Sequence, residues 1–447
     1  MKKLIFTAIL TASTLALPAQ EQWSHRMIAS HGLGDFYCNR NYQEQLSSSF
    51  WDYVSGLVAN SVLKAWQMYP ERTDYYDVVK AFADNSTTSD GSMILRANGT
   101  SALGASNIDD LAAAKVFFAL YQEELKRGNT ADADRYRNAA TLIRNTLKYE
   151  HSRIPQGLPG EGGFFHKAQY PSQMWLDGLY MGPAVYAQWQ EMFGHENETD
   201  NFDSWSDITL QFQIIHRYTY NSETGLNYHA WTATPGYAGA FWSNQTEPYW
   251  GASKEVWGRG MGWYFAALVD ILELMPKDHP GYNPVWAIYK DVAEGLRRYQ
   301  DPASGAWYQL VQYDSSVAAD GIGDTVNGQT YNVGTQANYL EASCSCMFTY
   351  AYLKGLRLGL LDRNAFLPVA EKGFRGLLKT FIRENGSKID IVQSCASAGV
   401  GPANNPSRTG TVNYYLCGRD VTIVENEGKA IGTFIMAALE YEDLKKK

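Results

Sequence analysis

Asp177 closes the run Glu161-Gly-Gly-Phe-Phe-His-Lys-Ala-Gln-Tyr-Pro-Ser-Gln-Met-Trp-Leu-Asp177, with Trp175, Leu176, Leu179 and Met181 around it. A carboxyl held among apolar neighbours is poorly solvated when charged, which favours the protonated form that a general acid needs. Pro171 breaks the chain just upstream, so a helix is expected to begin after it, with Asp177 in its first two turns. An acid at a helix start can be there for the dipole alone. Its depth beyond the cap and its apolar neighbours favour chemistry instead.

Three further runs could supply partners. In Asn107-Ile108-Asp109-Asp110 one acid suffices as a helix cap, leaving the other for a site. Gly225-Leu-Asn-Tyr-His229-Ala-Trp231 and Glu255-Val-Trp257-Gly-Arg259-Gly-Met-Gly-Trp263 combine aromatics with polar groups. Arg259, between two tryptophans, has the planar fork to clamp a carboxylate, or it can simply stack on Trp as a structural residue. Gly258, Gly260 and Gly262 leave room for a ligand or a neighbouring helix. They are no dinucleotide fingerprint, since no βαβ unit precedes them. His166, His229 and Asp177 do not form an HxxxH, HExxH or calcium-loop pattern, so neither a catalytic metal nor a cofactor is expected. No GxSxG elbow supports a serine nucleophile.

The elements that must hold these groups are helical. Apolar residues recur at three- and four-residue intervals near Trp51–Tyr69, Asp109–Lys126, Ala131–Tyr149, Gln173–Gln190, Ser204–Tyr220, Gly260–Met275, Val285–Tyr299, Tyr339–Leu360, Asn364–Glu384 and Glu427–Lys445. Strand-like alternation is sparse, as in Trp307–Gln312. An all-α chain of helical hairpins follows, arranged as a bundle, solenoid or closed ring. The chemistry-bearing runs fall at helix starts. If alternate helices run parallel in a ring, those starts gather around one mouth, where helix dipoles favour an anionic ligand. Two stretches without apolar periodicity, Tyr313–Ala337 and Ser394–Val421, are long enough to be walls or lids, or passive insertions.

A net charge of -9 disfavours nucleic acid and any long polyanion gripped along its length; a short acidic ligand met by one or two local cations fits. The 14% aromatic content suits sugar stacking or a large helical core. The composition leaves the oligomeric state open. Lys2 and Lys3, the apolar stretch Leu4–Leu17 and the small Ala19 have the order of a secretory signal peptide cleaved after Ala19. Residues 20–447 would then form one domain exported by a bacterium, to the periplasm or beyond. No later segment reads as a membrane span. Of five cysteines, Cys38, Cys344, Cys346, Cys395 and Cys417, Cys344 and Cys346 read as helix core, while Cys395 and Cys417 could bridge.

Several runs in order, Trp51-Asp-Tyr53 with Gly56, Ile108-Asp109, Gly162-Gly-Phe-Phe-His166-Lys167, Gln173-Met-Trp-Leu-Asp177-Gly, Tyr228-His229-Ala-Trp231, Trp257-Gly-Arg259-Gly-Met-Gly-Trp263 and Glu341-Ala-Ser-Cys-Ser, resemble glycoside hydrolase family 105. That family comprises the unsaturated rhamnogalacturonyl hydrolases; the unsaturated glucuronyl hydrolases of family 88 are a more distant likeness. The resemblance implies an (α/α)6 barrel and a small unsaturated oligosaccharide, such as a disaccharide, as ligand. It also implies hydration of the C4=C5 enol ether of a terminal unsaturated uronate rather than attack at the anomeric carbon. By the same match Asp177 is the proton donor and Asp109 its catalytic partner, binding sugar hydroxyls and helping keep Asp177 protonated. His166, Lys167, His229 and Arg259 are expected to bind polar groups, and Tyr53, Trp257 and Trp263 to pack on sugar rings. One departure stands out: Thr232 and a Gly/Ala/Trp-rich insertion follow Trp231, where the family usually has an acid.

Overall fold

The computed structural model describes residues 22–32, 51–96, 98–104 and 107–446; the expected signal peptide, 1–19, and Cys38 lie outside them. Helices α1 (Trp23–Met27), α2 (Tyr53–Met68) and α3 (Thr73–Asn85) come first, then a 3-10 turn (Ile108–Ala114) leading into α4 (Lys115–Arg127), and α5 (Thr130–Asn145). Strand β1 (Gln173–Trp175) runs directly into α6 (Leu176–Met181), followed by α7 (Pro183–Phe193) and α8 (Glu198–Thr219). Short strands β2 (Tyr220–Asn221), β3 (Leu226–Asn227) and β4 (Ala230–Thr232) precede α9 (Gly258–Leu274) and α10 (Tyr282–Arg298). After the hairpin β5 (Asp324–Val326)–β6 (Gln329–Tyr331) come α11 (Ala342–Arg357) and α12 (Arg363–Phe381). The chain ends through β7 (Ile382–Asn385), β8 (Lys388–Ile391), β9 (Ser394–Cys395), α13 (Val412–Cys417), β10 (Ile423–Val424) and α14 (Gly428–Lys446).

Among the described residues seven helices fill the six positions of an inner ring in which each packs on the next: α2, α4, the α6–α7 pair, α9, α11 and α14, with α14 closing back on α2. Their outer partners are α3, α5, α8, α10, α12 and α1. The result is an (α/α)6 barrel. Burial patterns separate the layers. In α11 every residue from Ala342 to Leu356 is buried, as expected of a helix surrounded by others. In α10 only one stripe is buried, through Val285, Ile288, Tyr289, Val292 and Leu296. Because every hairpin goes out and back, the inner helices run parallel and their N-termini share one end.

Several boundaries differ from expectation. Gln173–Gln190 is not one helix: β1 pairs antiparallel with β4, Trp175 opposite Ala230, and Pro183, which lacks an N–H and crowds the preceding turn, starts α7 after Gly182. Trp307–Gln312 makes isolated bridges only, Tyr308 to Leu340 and Leu310 to Trp257. Helix α3 was not expected, although Tyr75, Tyr76, Val79, Phe82 and Ala83, all buried, carry helical spacing. Cys395 and Cys417 are free thiols; Cys395 Sγ lies 3.3 Å from the Ser397 carbonyl, while Cys344 and Cys346 are core residues. Among the described residues no helix is long and apolar enough to cross a membrane.

Candidate active site

Backbone pairing at the mouth brings sequence-distant runs together. Leu176 N–H donates to the His229 carbonyl (3.0 Å) and His229 N–H to the Glu255 carbonyl (3.2 Å). The β1–β4 ladder therefore sets His229 beside Asp177, the second residue of α6. Likewise Ile108 N–H bonds the His166 carbonyl (3.2 Å) and Asn107 bridges Lys167, which fixes Asp109 against that pair. The three glycines of the Trp257–Trp263 run divide two tasks. A Cβ on Gly258 or Gly262 would meet Cys344 or Met347 of α11 at 2.9 and 2.6 Å, whereas one on Gly260 would lie 3.0 Å from His229 and 3.4 Å from Asp177 Oδ2.

These runs enclose a cavity of about 140 Å³ whose lining includes Tyr53, Asp109, His166, Lys167, Asp177, Trp257, Arg259 and Trp263. Its two acids live differently. Asp109 Oδ2 lies 2.8 Å from Lys167 Nζ and Oδ1 lies 3.7 Å from His166 Nε2. Burial alone would raise the Asp109 carboxyl, but the charge and hydrogen bond of Lys167 outweigh it and hold the group below its ordinary value. Asp177 is buried, and its Oδ2 is 3.1 Å from His229 Nε2; no lysine or arginine pairs with it among the described residues. Asp110, the neighbour of Asp109, faces Asn107 instead (2.9 Å) and is pushed up to about 7 by burial and the Asp109 charge. His166 is pushed down to about 4, by burial above all, so its ring is neutral at ordinary pH. It stacks on Trp175 with centroids 4.2 Å apart. Burial raises the Tyr53 hydroxyl to about 12, keeping it a donor.

A family model, Glycosyl Hydrolase Family 88, matches residues 35–320 and 328–445. The chain belongs to that family. A solved family 105 glycoside hydrolase from C. acetobutylicum is 32% identical, covering 95% of this chain and 100% of its own, with a TM-score of 0.75. Family 105 membership follows as well. An unsaturated glucuronyl hydrolase from a Bacillus species shares the fold at a TM-score of 0.52 and 13% identity, over 94% of this chain and 97% of its own. An unsaturated 3S-rhamnoglycuronyl hydrolase from Formosa agariphila is 24% identical over 256 residues, 56% of this chain and 58% of that protein. The protein is a glycoside hydrolase.

In this hydrolase eight of the nine residues singled out from sequence line the one cavity. His229 is not among its lining; fully buried, it stands behind Asp177 and reaches the site through that carboxyl. Arg259 lines the cavity but is heavily engaged. Nε donates to Ser343 (2.9 Å), Nη1 to the Ala396 carbonyl (3.3 Å) and Nη2 to the Cys395 carbonyl, with Glu341 3.5 Å away. It also sits over the Trp257 ring at 5.4 Å. Much of its fork therefore ties three chain segments together. Sequence reasoning missed Ser397, Ala398 and Arg408 of the hydrolase, which reach the cavity from the 394–421 stretch. Asp420 orients Arg408 through Nε (2.7 Å) and Nη2 (2.6 Å). The 313–337 stretch braces that strap from outside the cavity: Asp324 Oδ2 accepts from the hydroxyls of Thr409 (2.7 Å) and Thr411 (2.6 Å). The insertion after Trp231 packs onto the same strap, with Trp242 in one apolar cluster with Tyr170, Trp175 and Val400.

Proposed function

We propose that this hydrolase removes a terminal 4,5-unsaturated uronate from a short lyase-generated oligosaccharide, with unsaturated galacturonyl-rhamnose from rhamnogalacturonan as the preferred substrate. The observation that carries the reading is the contrast between its acids. Asp109 is committed as a carboxylate to Lys167, whereas among the described residues Asp177 pairs with no titratable side chain but His229. A conventional glycosidase needs a second carboxylate free to attack or to activate water at the anomeric carbon. One proton donor with a reusable conjugate base suits hydration of an enol ether.

Asp177 gives its proton to C4, and positive charge develops at C5, shared with the ring oxygen. Water adds to C5 and returns a proton to the Asp177 carboxylate, restoring the acid. The resulting hemiketal opens by cleavage of the C5–O5 bond, placing a ketone at C5 and a hemiacetal at C1. That hemiacetal collapses to an aldehyde and releases the neighbouring sugar. One water is consumed and no covalent enzyme intermediate forms. Asp109 would hydrogen-bond sugar hydroxyls, and Trp257, Trp263 and Tyr53 would bound the ring. Lys167, Arg408 and the unengaged edge of Arg259 supply local positive charge for the uronate.

A rhamnose-linked uronate is favoured by two relatives named unsaturated 3S-rhamnoglycuronyl hydrolases, although the chain spans only 58% and 48% of their lengths. Export through the 1–19 signal pattern is part of the same proposal. A panel of lyase-generated disaccharides, unsaturated galacturonyl-rhamnose and glucuronyl counterparts among them, tests it by decay of the unsaturated uronate's ultraviolet absorbance. Fastest decay is expected on galacturonyl-rhamnose, with none of the saturated equivalents cleaved. Turnover of saturated oligosaccharides would sink the hydration mechanism.

A further inference from the structure

The 394–421 strap carries a second contact that no motif indicated. Tyr415, on α13, places its hydroxyl 2.6 Å from Nδ1 of His229, on the side of the imidazole opposite Asp177. We propose that Tyr415 is a positioning residue whose hydroxyl donates to His229 Nδ1, fixing the tautomer whose Nε2–H holds Asp177 Oδ2 and leaving Oδ1 to carry the transferable proton. This rests on the reading of Asp177 as proton donor.

Hydrogen-bond accounting decides the direction. A phenol has one hydrogen to give, and a buried hydroxyl left without an acceptor costs about 1–3 kcal/mol. Tyr415 and His229 are both fully buried, and among the described residues Nδ1 is the one hydrogen-bond partner of the Tyr415 hydroxyl. Tyr415 therefore donates, Nδ1 accepts, and the ring proton resides on Nε2, 3.1 Å from Oδ2. The competing state, an imidazolium donating from Nε2 to a charged Asp177 and from Nδ1 to the Tyr415 oxygen, leaves Asp177 with no proton to deliver. Donation into Nδ1 disfavours it, because it stabilises the neutral ring.

The ring has little freedom to rearrange. Trp257 meets it edge-on at 4.8 Å and Trp175 at 5.3 Å, and both backbone polar groups of His229 are bonded. Tyr415 is held as firmly: Gln309 donates to its carbonyl (3.0 Å), and Trp257 stacks beside it at 6.2 Å. Other titratable or charged groups around the pair are His166, Glu255, Tyr414 and Arg408; none of them gives Nδ1 a second partner. Burial, with Tyr414, Asp177 and Glu255 adding to it, keeps the Tyr415 hydroxyl well above its ordinary value, so it remains an O–H donor.

Tyr415→Phe keeps the ring and removes one donor. It should lower kcat about 10- to 100-fold, by analogy with loss of the partner that orients a metal-bound imidazole, with KM changed less than about twofold. His229→Gln keeps an N–H near the Nε2 position and should outperform His229→Ala. Adding Tyr415→Phe to His229→Gln should cost little more, because coupled residues are not additive. An unchanged kcat in Tyr415→Phe, a change in KM alone, or full additivity in the double variant would overturn the proposal. Asp177→Asn, run alongside, separates the two readings. If it still turns over, the donor reading fails and takes this proposal with it; if it is dead beside a fully active Tyr415→Phe, only the Tyr415 role fails. Should the Phe variant unfold, histidine ¹⁵N spectra of the unaltered enzyme decide: Nδ1 is expected bare and Nε2 protonated, and the reverse tautomer is disproof.

Discussion

At the base of the barrel, where the inner helices end, Lys354 lies 2.6 Å from Asp270 and 2.7 Å from Glu273. Arg357 reaches Glu440 at 2.7 Å and Glu273 at 3.1 Å. The basic groups sit in the last turn of α11, where they also complement the helix dipole. At the mouth the same helices begin, and among the described residues Asp177 has the His229 imidazole as its one hydrogen-bonding side-chain partner. Size does not distinguish the ends: the base depression, about 530 Å³, exceeds the mouth cavity of about 140 Å³. What distinguishes them is that Asp270, Glu273 and Glu440 at the base each have a lysine or arginine within 3.1 Å, while the mouth keeps, beside the paired Asp109, the carboxyl of Asp177 with no lysine or arginine against it among the described residues. Acids matched by cations hold structure together; a carboxyl without one suits the proton transfer proposed for it.

The contrast breaks most sharply in catalysis. Asp177→Asn should lower kcat on unsaturated disaccharides by about 10³-fold or more, the upper range for loss of a general acid. Its melting temperature and substrate affinity should stay near those of the unaltered protein, because no buried counter-charge is stranded. Full activity in that variant would remove the mouth's special status. At the base the expectation is reversed. Lys354→Met removes a buried ammonium from the half-buried Asp270 and leaves the exposed Glu273 with Arg357 alone, which should cost about 3 kcal/mol of stability, measured by denaturant unfolding. The folded fraction should keep its kcat. A fall in kcat without loss of stability would mean that the base takes part in turnover.

How much of this was legible beforehand follows from how local each signal is. Helix starts and the apolar company of Asp177 are written within a turn or two of sequence, so helical hairpins with polar runs at their starts could be anticipated, whereas the closed ring came from the family resemblance. Strand β1 could not, because three residues carry no period and its partner β4 lies more than fifty residues on. Arg259 was visible as a residue, but its engagement by Glu341 and by the carbonyls of Cys395 and Ala396 depends on another helix and on a loop. Arg408 and Tyr415 fall in a stretch without apolar periodicity, and only the packing of the strap onto Trp257 and Trp175 brings them to the site. Helix α3 is different: Tyr75, Tyr76, Val79, Phe82 and Ala83 carry a local helical spacing that is legible in the sequence.

The smallest expected effect separates the two ends by pH. His166 at the mouth is pushed from 6.5 down to about 4, chiefly by burial, so the unfolded chain binds its proton more readily than the folded one. Stability from this neutral ring is complete above 6.5 and is lost as pH falls through about 4, on the order of 3 kcal/mol in all. At the base, burial would raise Glu273, but Lys354 and the neighbouring Lys64 outweigh it and bring the carboxyl from 4.5 down to about 2. Its contribution is therefore present above 4.5 and lost only as pH falls toward 2. Asp110, raised to about 7, runs in the opposite sense to His166 over part of the same range. The His166 contribution is accordingly read as the difference between the unaltered protein and His166→Gln. Unfolding free energies measured across this range should show that difference shrinking between pH 6.5 and 4, while the difference for Glu273→Gln stays flat there and shrinks only below 4.5. Coincident windows would mean that the two ends are electrostatically alike, against the contrast drawn from their pairing.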